Sequence, residues 1–264
     1  LLLARPAKLK FLSSLGAIAV ALRSTNYLTL RLSPFLPKCV MLQRRKTLET
    51  RDMSTQIICV AQQKGGAGKT TLVCNLATAF LAEGKSVAII DTDPQGSLSK
   101  WLDIREESIG ADDNLQFATA TAYGISRAIR SVGSNADIVL IDTPPKADSD
   151  IRNVLRGSDL ILIPVSASQA DVWATHDVID LAERVGKRSH TVMNRMRAGT
   201  RVGQDVAASV AELDAHHLNS ALNHRVIYAE AMGRGRGVVE GKRTGAAADE
   251  MNALAHEVSA LLDA

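Results

Sequence analysis

Apolar residues recur along this chain in short blocks separated by stretches with helical spacing. Blocks of five to seven mostly apolar, β-branched residues are typical of strands buried on both faces of a parallel sheet. The predicted strands cover residues 56–62, 86–90, 115–121, 136–141, 160–165 and 190–194. Amphipathic helices are predicted where apolar residues recur every third or fourth position, over residues 72–83, 171–185 and 246–262.

Strands that alternate with helices predict an α/β fold, a three-layer α/β/α sandwich around a mostly parallel, twisted sheet. In such folds ligands bind at the carboxyl ends of the strands. Candidate functional residues are therefore sought just after each predicted strand.

The stretch between the first predicted strand and the first predicted helix has the composition of a phosphate-binding loop. It reads Gln63-Lys64-Gly65-Gly66-Ala67-Gly68-Lys69-Thr70-Thr71. Gly65, Gly66 and Gly68 let backbone N–H groups approach a polyphosphate, because no side chain holds the backbone away. Lys69 can lie along the β- and γ-phosphates, and the Thr70 hydroxyl can complete the coordination of Mg²⁺.

This loop departs from the usual G-x-x-x-x-G-K-[ST] pattern, because Gln63 replaces the first glycine and an additional lysine, Lys64, follows it. The Lys-Gly-Gly-x-Gly-Lys-Thr form resembles the deviant Walker A motif of the ParA/MinD family of P-loop ATPases, and most resembles the small ParA-type members. The resemblance implies that Lys64 reaches the partner's phosphates across a nucleotide-sandwich homodimer, so Lys64 and Lys69 both serve catalysis. The implied ATP-binding residues are Lys64, Gly65, Gly66, Ala67, Gly68, Lys69, Thr70 and Thr71.

Carboxylates follow two further predicted strands, at Asp91 and Asp93 and at Asp142. The family resemblance implies that Asp93 lies in switch I and orients the attacking water, and that Asp142 is the Walker B aspartate. Thr70, Asp93 and Asp142 are then the residues expected at Mg²⁺, with Asp91 supporting the metal shell or Lys69 from behind. The alternative reading is that Asp91 and Asp93 only cap the following helix.

Two further residues near predicted strand ends are candidates by the same resemblance. Asn194 matches a position where related ATPases touch the adenine base, although an asparagine at a strand end can also be a turn residue. Trp173, on the predicted helix 171–185, is expected to be a core or dimer-contact residue rather than a base-stacking one.

Basic residues cluster in the last third of the chain. Arg225 and the segment 229–240, which contains Arg234 and Arg236, resemble the region that binds DNA without sequence preference in the family. Phosphate contacts require cations but little base-specific geometry, so arginines on a loop made flexible by its glycines suit them. Scattered, solvated surface charges are the competing interpretation. The helix 246–262 carries no Lys or Arg, so no stable membrane association is expected.

Charge divides the 264-residue chain, whose formal net charge is +3. Residues 1–52 carry ten basic and two acidic side chains, a net of +8, which leaves −5 for the ATPase domain predicted over residues 53–264. DNA binding by that domain would need a local basic patch. Residues 1–52 are expected to be a disordered extension or an over-extended gene start before Met53. A secretory signal and an organellar presequence are the alternatives, and the apolar run 11–22 is shorter than the about 20 residues that span a bilayer.

The three cysteines, Cys39, Cys59 and Cys74, form no metal-ligand spacing. Cys59 and Cys74 fall on the first predicted strand and helix, so both are predicted to be buried, reduced thiols. No cysteine follows Cys74, which excludes the cluster-bearing nitrogenase iron proteins that share this loop.

The resemblance implies a bacterial, cytoplasmic and nucleoid-associated ATPase that segregates plasmid or chromosome DNA. Its cofactors would be ATP and Mg²⁺, and its partners a second copy of the chain, non-specific DNA and a ParB-like activator. Weak intrinsic hydrolysis is expected, because the sequence offers no evident arginine finger in cis. The alternatives are a ParA-like ATPase that positions a chemoreceptor, secretion or cellulose-synthesis complex, a MinD-like cell-division regulator, and an enzyme that phosphorylates a carboxylate or amine.

Overall fold

The computed structural model describes residues 20–24, 27–31, 55–121, 123–145, 151–241 and 245–263. The chain divides into two compact units, Leu1–Asp52 and Met53–Ala264. In the first unit, strands β1 (Val20–Ser24) and β2 (Tyr27–Arg31) pair as an antiparallel hairpin. Most of the apolar run 11–22 and Met53 itself lie outside the described residues, so the expectations for the extension stay predictions.

The second unit contains a seven-stranded sheet in which every pairing is parallel. Its strands are β3 (Gln56–Val60), β4 (Val87–Asp91), β5 (Leu115–Thr119), β6 (Ile138–Asp142), β7 (Leu160–Val165), β8 (Ser189–Met196) and β9 (His216–Asn223). Their spatial order is β5-β4-β6-β3-β7-β8-β9. The strand that leads into the glycine-rich loop is therefore central, with sheet on both sides.

Eight helices flank this sheet within the described residues. They are α1 (Lys69–Ala82), α2 (Ser97–Ile109), α3 (Ile125–Gly133), α4 (Ile151–Arg156), α5 (Gln169–Arg184), α6 (Arg201–Ala211), α7 (Val226–Met232) and α8 (Ala246–Leu262), with a short 3-10 helix at Val238–Glu240. One apolar core lies between the sheet and α1, α2, α7 and α8, and a second between the sheet and α3 to α6. The predicted three-layer α/β fold is confirmed.

Alternation along β3 explains how one strand feeds both cores. Ile58 and Val60 are fully buried against α1 and its neighbours, whereas Cys59 and Ala61 are fully buried on the opposite face. Because successive side chains of a strand point to opposite faces, a strand covered on both sides must be apolar at every position. The thiol of Cys59 is buried and free, as predicted.

All six predicted strands and all three predicted helices are present, with ends shifted by one or two residues in most cases. β9 was not predicted, because its sequence HHLNSALN has neither the apolar run nor the β-branched residues of the other strands. It forms as the last strand of the sheet by pairing with β8 in an irregular register.

Two glutamates of α8 cover backbone donors of β9. Glu257 accepts hydrogen bonds from Asn219 N (2.7 Å) and Ser220 N (2.8 Å), and Glu250 accepts from Asn223 N (3.1 Å). Two of these donors, at Asn219 and Ser220, lie where the register of β9 is irregular, and they are thereby satisfied within the same chain.

Candidate functional site

The glycine-rich loop joins β3 at the centre of the sheet to the first turn of α1. Gly66 (φ 83°) and Gly68 (φ 90°) adopt left-handed conformations that disfavour side chains. A Cβ at Gly68 would also lie 2.6 Å from the amide nitrogen of Asn194. Both the conformation and the close approach therefore require glycine at position 68.

Lys69 begins α1 at the C-terminal edge of the sheet and is buried, with 7% of its surface exposed. Burial lowers the pKa of its ammonium group, while the nearby carboxylates of Asp142 and Asp93 act to raise it. A desolvated cation at this position gains more from a phosphate than a solvated one does. Lys69 therefore lines the cavity at the glycine-rich loop, and its contact with phosphate stays a prediction.

Asp142, the predicted Walker B aspartate, ends β6 directly beside the loop. Its Oδ2 accepts a hydrogen bond of 2.6 Å from the Thr70 hydroxyl, and its carboxyl group is buried. Burial raises the pKa of Asp142 to about 7, against the lowering effect of Thr70. Among the described residues, Oδ1 has no hydrogen-bond partner.

The paired oxygens of Thr70 and Asp142 fit a magnesium ion. Mg²⁺ prefers oxygen ligands and is held by one or two protein groups together with phosphate oxygens and water. A cation there would satisfy the free Oδ1 and remove the cost of burying the Asp142 carboxylate. The metal role predicted for these two residues is consistent with this geometry.

The two aspartates after β4 differ in their surroundings. Asp91 is buried and accepts hydrogen bonds from Asp93 N (2.9 Å) and, at 3.4 Å, from the backbone N and hydroxyl of Ser99. Burial still raises the pKa of Asp91 above its ordinary value. Asp93 is half-buried and lines the cavity at the glycine-rich loop, where Oδ1 accepts from Gln95 N (2.9 Å). Asp91 therefore holds the backbone that follows β4, and Asp93 lines the cavity.

Lys64 extends toward α5. Its ammonium group forms a salt bridge with Asp171 and donates a hydrogen bond of 3.2 Å to the Ser168 hydroxyl. The Asp171 carboxylate is 3% exposed and also accepts from Ser166 N (3.1 Å). The two lysines of the loop thus have separate environments, because Lys69 lines the loop cavity and Lys64 pairs with residues of the segment that begins α5.

A second cavity of about 600 Å³ adjoins the loop cavity of about 300 Å³. The size suits a nucleoside. Residues that line both cavities are Thr71, Ser97, Arg195 and Met232. Asn194 also lines the larger cavity, and its side-chain amide donates 2.8 Å to the Ala67 carbonyl of the loop. Its contact with adenine stays a prediction.

The candidate DNA-binding arginines occupy different environments. Arg225 precedes α7 and its guanidinium pairs with Glu250, the shortest hydrogen bond being 2.6 Å. Arg234 is exposed and Arg236 is half-buried, both on the segment that follows α7. Arg234 therefore has the freest side chain of the three for a partner, and the DNA role of all three stays a prediction.

The glycines around Arg234 and Arg236 serve packing rather than flexibility. A Cβ at Gly235 would overlap the backbone of Arg105, and one at Gly237 would overlap Thr78. Arg105 of α2 is buried and forms two 2.8 Å hydrogen bonds to Glu240, which fix this segment to α2. The expected glycine-loosened loop is thus a tightly held one.

Three functional candidates were not predicted from the sequence. Asp171 holds Lys64, Arg105 holds the segment of Arg234, and Arg195 donates a 2.6 Å hydrogen bond to the Gly66 carbonyl. Each acts through contacts between distant parts of the chain. Only Arg195 carried a sequence signal, because it follows Asn194 at a strand end.

Two other expectations concern residues away from the loop. Cys74 is fully buried in α1, as predicted. Trp173 is 69% exposed, so the core alternative is wrong and the dimer-contact alternative stays a prediction. Within the part of the chain that the structure describes, no helix is both long and apolar enough to cross a bilayer.

Comparison with known proteins places this geometry in a family. Residues 58–238 match the model of the CobQ/CobB/MinD/ParA nucleotide binding domain. Over 208 residues the chain is 29% identical to maintenance of carboxysome distribution protein A from Halothiobacillus neapolitanus, covering 76% of this chain and 95% of that protein. It is 31% identical over 149 residues to the chromosome-partitioning ATPase Soj from Thermus thermophilus, covering 47% and 59% of the two chains.

A solved structure has the same fold. The septum site-determining protein MinD from Pyrococcus horikoshii OT3, complexed with Mg-ADP, superimposes with a TM-score of 0.68 at 20% identity, over 78% of this chain and 97% of that one. The family model covers most of the chain, including the glycine-rich loop and both aspartate motifs. The chain therefore belongs to the ParA/MinD family of P-loop nucleotide-binding proteins.

Proposed function

We propose that this protein is an ATP-driven positioning ATPase of the bacterial cytoplasm. ATP lies in the glycine-rich loop, with its terminal phosphates at Lys69 and Mg²⁺ at Thr70 and Asp142. The observation that carries this assignment is the 2.6 Å Thr70–Asp142 pair with its free buried oxygen, next to the buried ammonium of Lys69. A buried cation and a carboxylate with spare capacity are both stabilised by Mg-ATP.

The ATP-bound form is a homodimer in which Lys64 changes partners. In the single chain Lys64 pairs with Asp171 and Ser168 at the rim of its own site. Phosphates of a facing protomer carry more negative charge than one aspartate, so they would attract this lysine out of its salt bridge. Asp93 then orients the water that attacks the γ-phosphate, and hydrolysis releases the dimer. Intrinsic turnover is slow, and a ParB-like partner accelerates it.

The dimer is held on the nucleoid by sequence-independent contacts to DNA phosphates. Arg234 and Arg236 are the main candidates, since the segment that carries them is fixed to α2 through Arg105 and Glu240. Arg225 is a weaker candidate because Glu250 already neutralises its charge. Two protomers would double the number of cations and so raise the affinity for a polyanion.

Two cargoes are compatible with this cycle. The first is a plasmid or a chromosomal region. The second is a large protein assembly, and similarity over 95% of the length of a carboxysome distribution protein favours it. Both cargoes use the same nucleotide switch and the same DNA surface, so the residues of the site do not distinguish them.

The function is tested by DNA binding of the full chain. Random-sequence duplex DNA is titrated with protein in ATP with Mg²⁺, in ADP and without nucleotide, at two salt concentrations. We expect tight binding with ATP only, weakened by salt and equal across sequences. Arg234→Glu should reduce binding without changing ATP affinity, while Arg127→Glu, an exposed arginine of α3, serves as the control.

Equal retention in all nucleotide states would contradict the switch. Deletion of the gene in the source organism distinguishes the two candidate cargoes. Raised loss of a plasmid or chromosome supports DNA cargo, whereas normal inheritance with clustering of a protein assembly supports the second candidate.

A further inference from the structure

Arg195 has a backbone conformation that sets it apart. Its φ is 52°, and it is the one non-glycine residue with positive φ in the described part of the chain. This left-handed conformation is unfavourable for most residues other than Gly, Asn and Asp. Such conformations persist where the surrounding structure enforces them, and they concentrate at binding and catalytic sites.

The conformation directs the arginine side chain onto the glycine-rich loop. Nη1 donates a 2.6 Å hydrogen bond to the Gly66 carbonyl, and a Cβ at Gly68 would lie 3.4 Å from Nε and 3.7 Å from Cζ. The preceding residue, Asn194, donates to the Ala67 carbonyl. Two consecutive residues near the end of β8, one neutral and one cationic, therefore both donate hydrogen bonds to carbonyl groups of the glycine-rich loop.

The position of Arg195 along the nucleotide site follows from the two cavities. The loop cavity contains Lys69 and Thr70, so it takes the terminal phosphates. The adjoining cavity of about 600 Å³ has room for the nucleoside. Thr71, Ser97, Arg195 and Met232 line both, and Arg195 is the charged member of this set. A cation at this boundary lies where the phosphate chain meets the sugar.

We propose that Arg195 is a nucleotide-binding residue that contacts the phosphate nearest the ribose, in the same protomer. The guanidinium has five N–H donors in a planar fork, and the Gly66 carbonyl takes one of them. The remaining donors match phosphate oxygens. Arg195 lies outside the P-loop motif and would add a cationic ligand to the lysines of that motif. The contact would form with ADP and ATP alike, because both nucleotides possess this phosphate.

The test is nucleotide affinity of full-length variants, measured by calorimetry with ADP and with a non-hydrolysable ATP analogue. Arg195→Gly removes the guanidinium and keeps a backbone free to adopt positive φ. We expect dissociation constants for both nucleotides to rise about tenfold, as for loss of one charge-assisted hydrogen bond. Arg195→Lys retains the charge but not the planar guanidinium, so its dissociation constants should lie between those of the wild type and Arg195→Gly. Arg197→Ala, an exposed arginine two residues later, is the matched control and should bind normally.

Thermal unfolding separates binding from a structural role. The ligand-free melting temperature of Arg195→Gly should equal or exceed that of the wild type, because positive φ suits glycine, while the rise caused by ADP should shrink. Unchanged ADP affinity would overturn the proposal, as would a lowered ligand-free melting temperature with the full ADP-induced rise. The proposal depends on nucleotide binding and not on DNA or cargo, so loss of ATP-dependent DNA retention would leave it intact.

Discussion

The two ends of the central sheet differ in how the carboxylates at the strand ends are satisfied. At the amino ends of the strands, the half-buried Asp137 accepts from the Ser86 N (2.8 Å) and hydroxyl (2.9 Å), and the exposed Asp159 accepts from Ile57 N (2.8 Å). His190, at the start of β8, is an exception, because its buried Nδ1 has no hydrogen-bond partner among the described residues. At the carboxyl ends, Asp142 keeps an oxygen without a partner among the described residues. Burial raises the pKa of Asp142 and lowers that of Lys69.

This difference indicates that polar groups at the carboxyl ends of the strands lower the stability of the free protein and favour ligand binding. Groups that satisfy each other stabilise the fold but have nothing left to offer to a ligand. Groups that are buried with spare capacity cost stability in the free protein and recover it when phosphate and metal arrive. Substitutions at the carboxyl end should therefore change binding more than folding, and those at the amino end the reverse.

The largest effect is expected from Lys69→Ala. Removal of the buried ammonium should weaken ATP binding by about a hundredfold or more, since a charge-assisted contact to phosphate is lost in a water-poor site. The melting temperature of the free protein should not fall, because a desolvated charge is removed with it. Calorimetric titration and thermal unfolding measure both quantities. Lys187→Ala, on the turn before β8, is the control, and a large loss of stability in Lys69→Ala would contradict the comparison.

Asp93→Ala should separate binding from hydrolysis. ATP affinity should stay within a few-fold of the wild type, whereas turnover should fall by about a hundredfold because the attacking water loses its orienting carboxylate. Steady-state phosphate release and sedimentation with ATP are the measurements. The variant should persist as a dimer, with Asp103→Ala on the exposed face of α2 as control. A monomeric variant in ATP would count against the dimer switch.

Asp137→Ala tests the amino end. It removes the acceptor of two hydrogen bonds from Ser86, so the free energy of unfolding should fall by about 1–3 kcal/mol. ATP affinity should be unchanged. Urea unfolding and calorimetry give the two values, with the exposed Asp113→Ala for comparison. Loss of ATP affinity larger than the loss of stability would show that the two ends are not separable.

The site residues that could be predicted from the sequence are those whose contacts depend on short local motifs rather than on residues far apart in the chain. Lys69, Thr70, Asp93 and Asp142 belong to short motifs that adjoin strand ends, so local pattern and topology place them together. The partner of Lys64 is Asp171, more than a hundred residues later, and nothing local in either segment indicates the pair. β9 likewise depends on its neighbours, because polar residues dominate its sequence.

Acid should destabilise the amino end through His190. This ring is buried, stacks on His216 at 5.0 Å, and faces Arg188, His217 and Glu257. Burial and the neighbouring cations lower the pKa of His190 to about 4, below its value of about 6.5 when unfolded. The neutral form is therefore favoured by folding, so its contribution is complete above pH 6.5 and is lost as the pH falls toward 4.

We expect this group to account for about 1–2 kcal/mol of the unfolding free energy lost between pH 7 and pH 5. His190→Asn should flatten that part of the profile relative to the wild type, and His176→Asn, on the exposed face of α5, should not. Denaturant unfolding at each pH measures the difference. Parallel profiles for wild type and His190→Asn would exclude His190 as the titrating group.

The smallest effect is expected from Asp171→Asn, which weakens the hold on Lys64. The asparagine oxygen can still accept from Ser166 N, so the fold should be retained. Since the Lys64 side chain is 38% exposed, the pair is partly screened, and dimerisation with ATP should strengthen by only about threefold. Sedimentation at several protein concentrations measures the dimerisation constant, with Asp177→Asn as the control. Weaker dimerisation would mean that Asp171 helps Lys64 reach its partner.

The glutamates of α8 that cover β9 also govern how copies of this chain can join. With Glu250 and Glu257 ionised, three backbone donors of β9 are occupied, which disfavours the pairing of a strand from another molecule at these positions. Burial acts to raise the pKa of both carboxyl groups, but hydrogen bonds to β9 and, for Glu250, to Arg225 together lower it below the ordinary value. Strong acid would protonate them and release these donors.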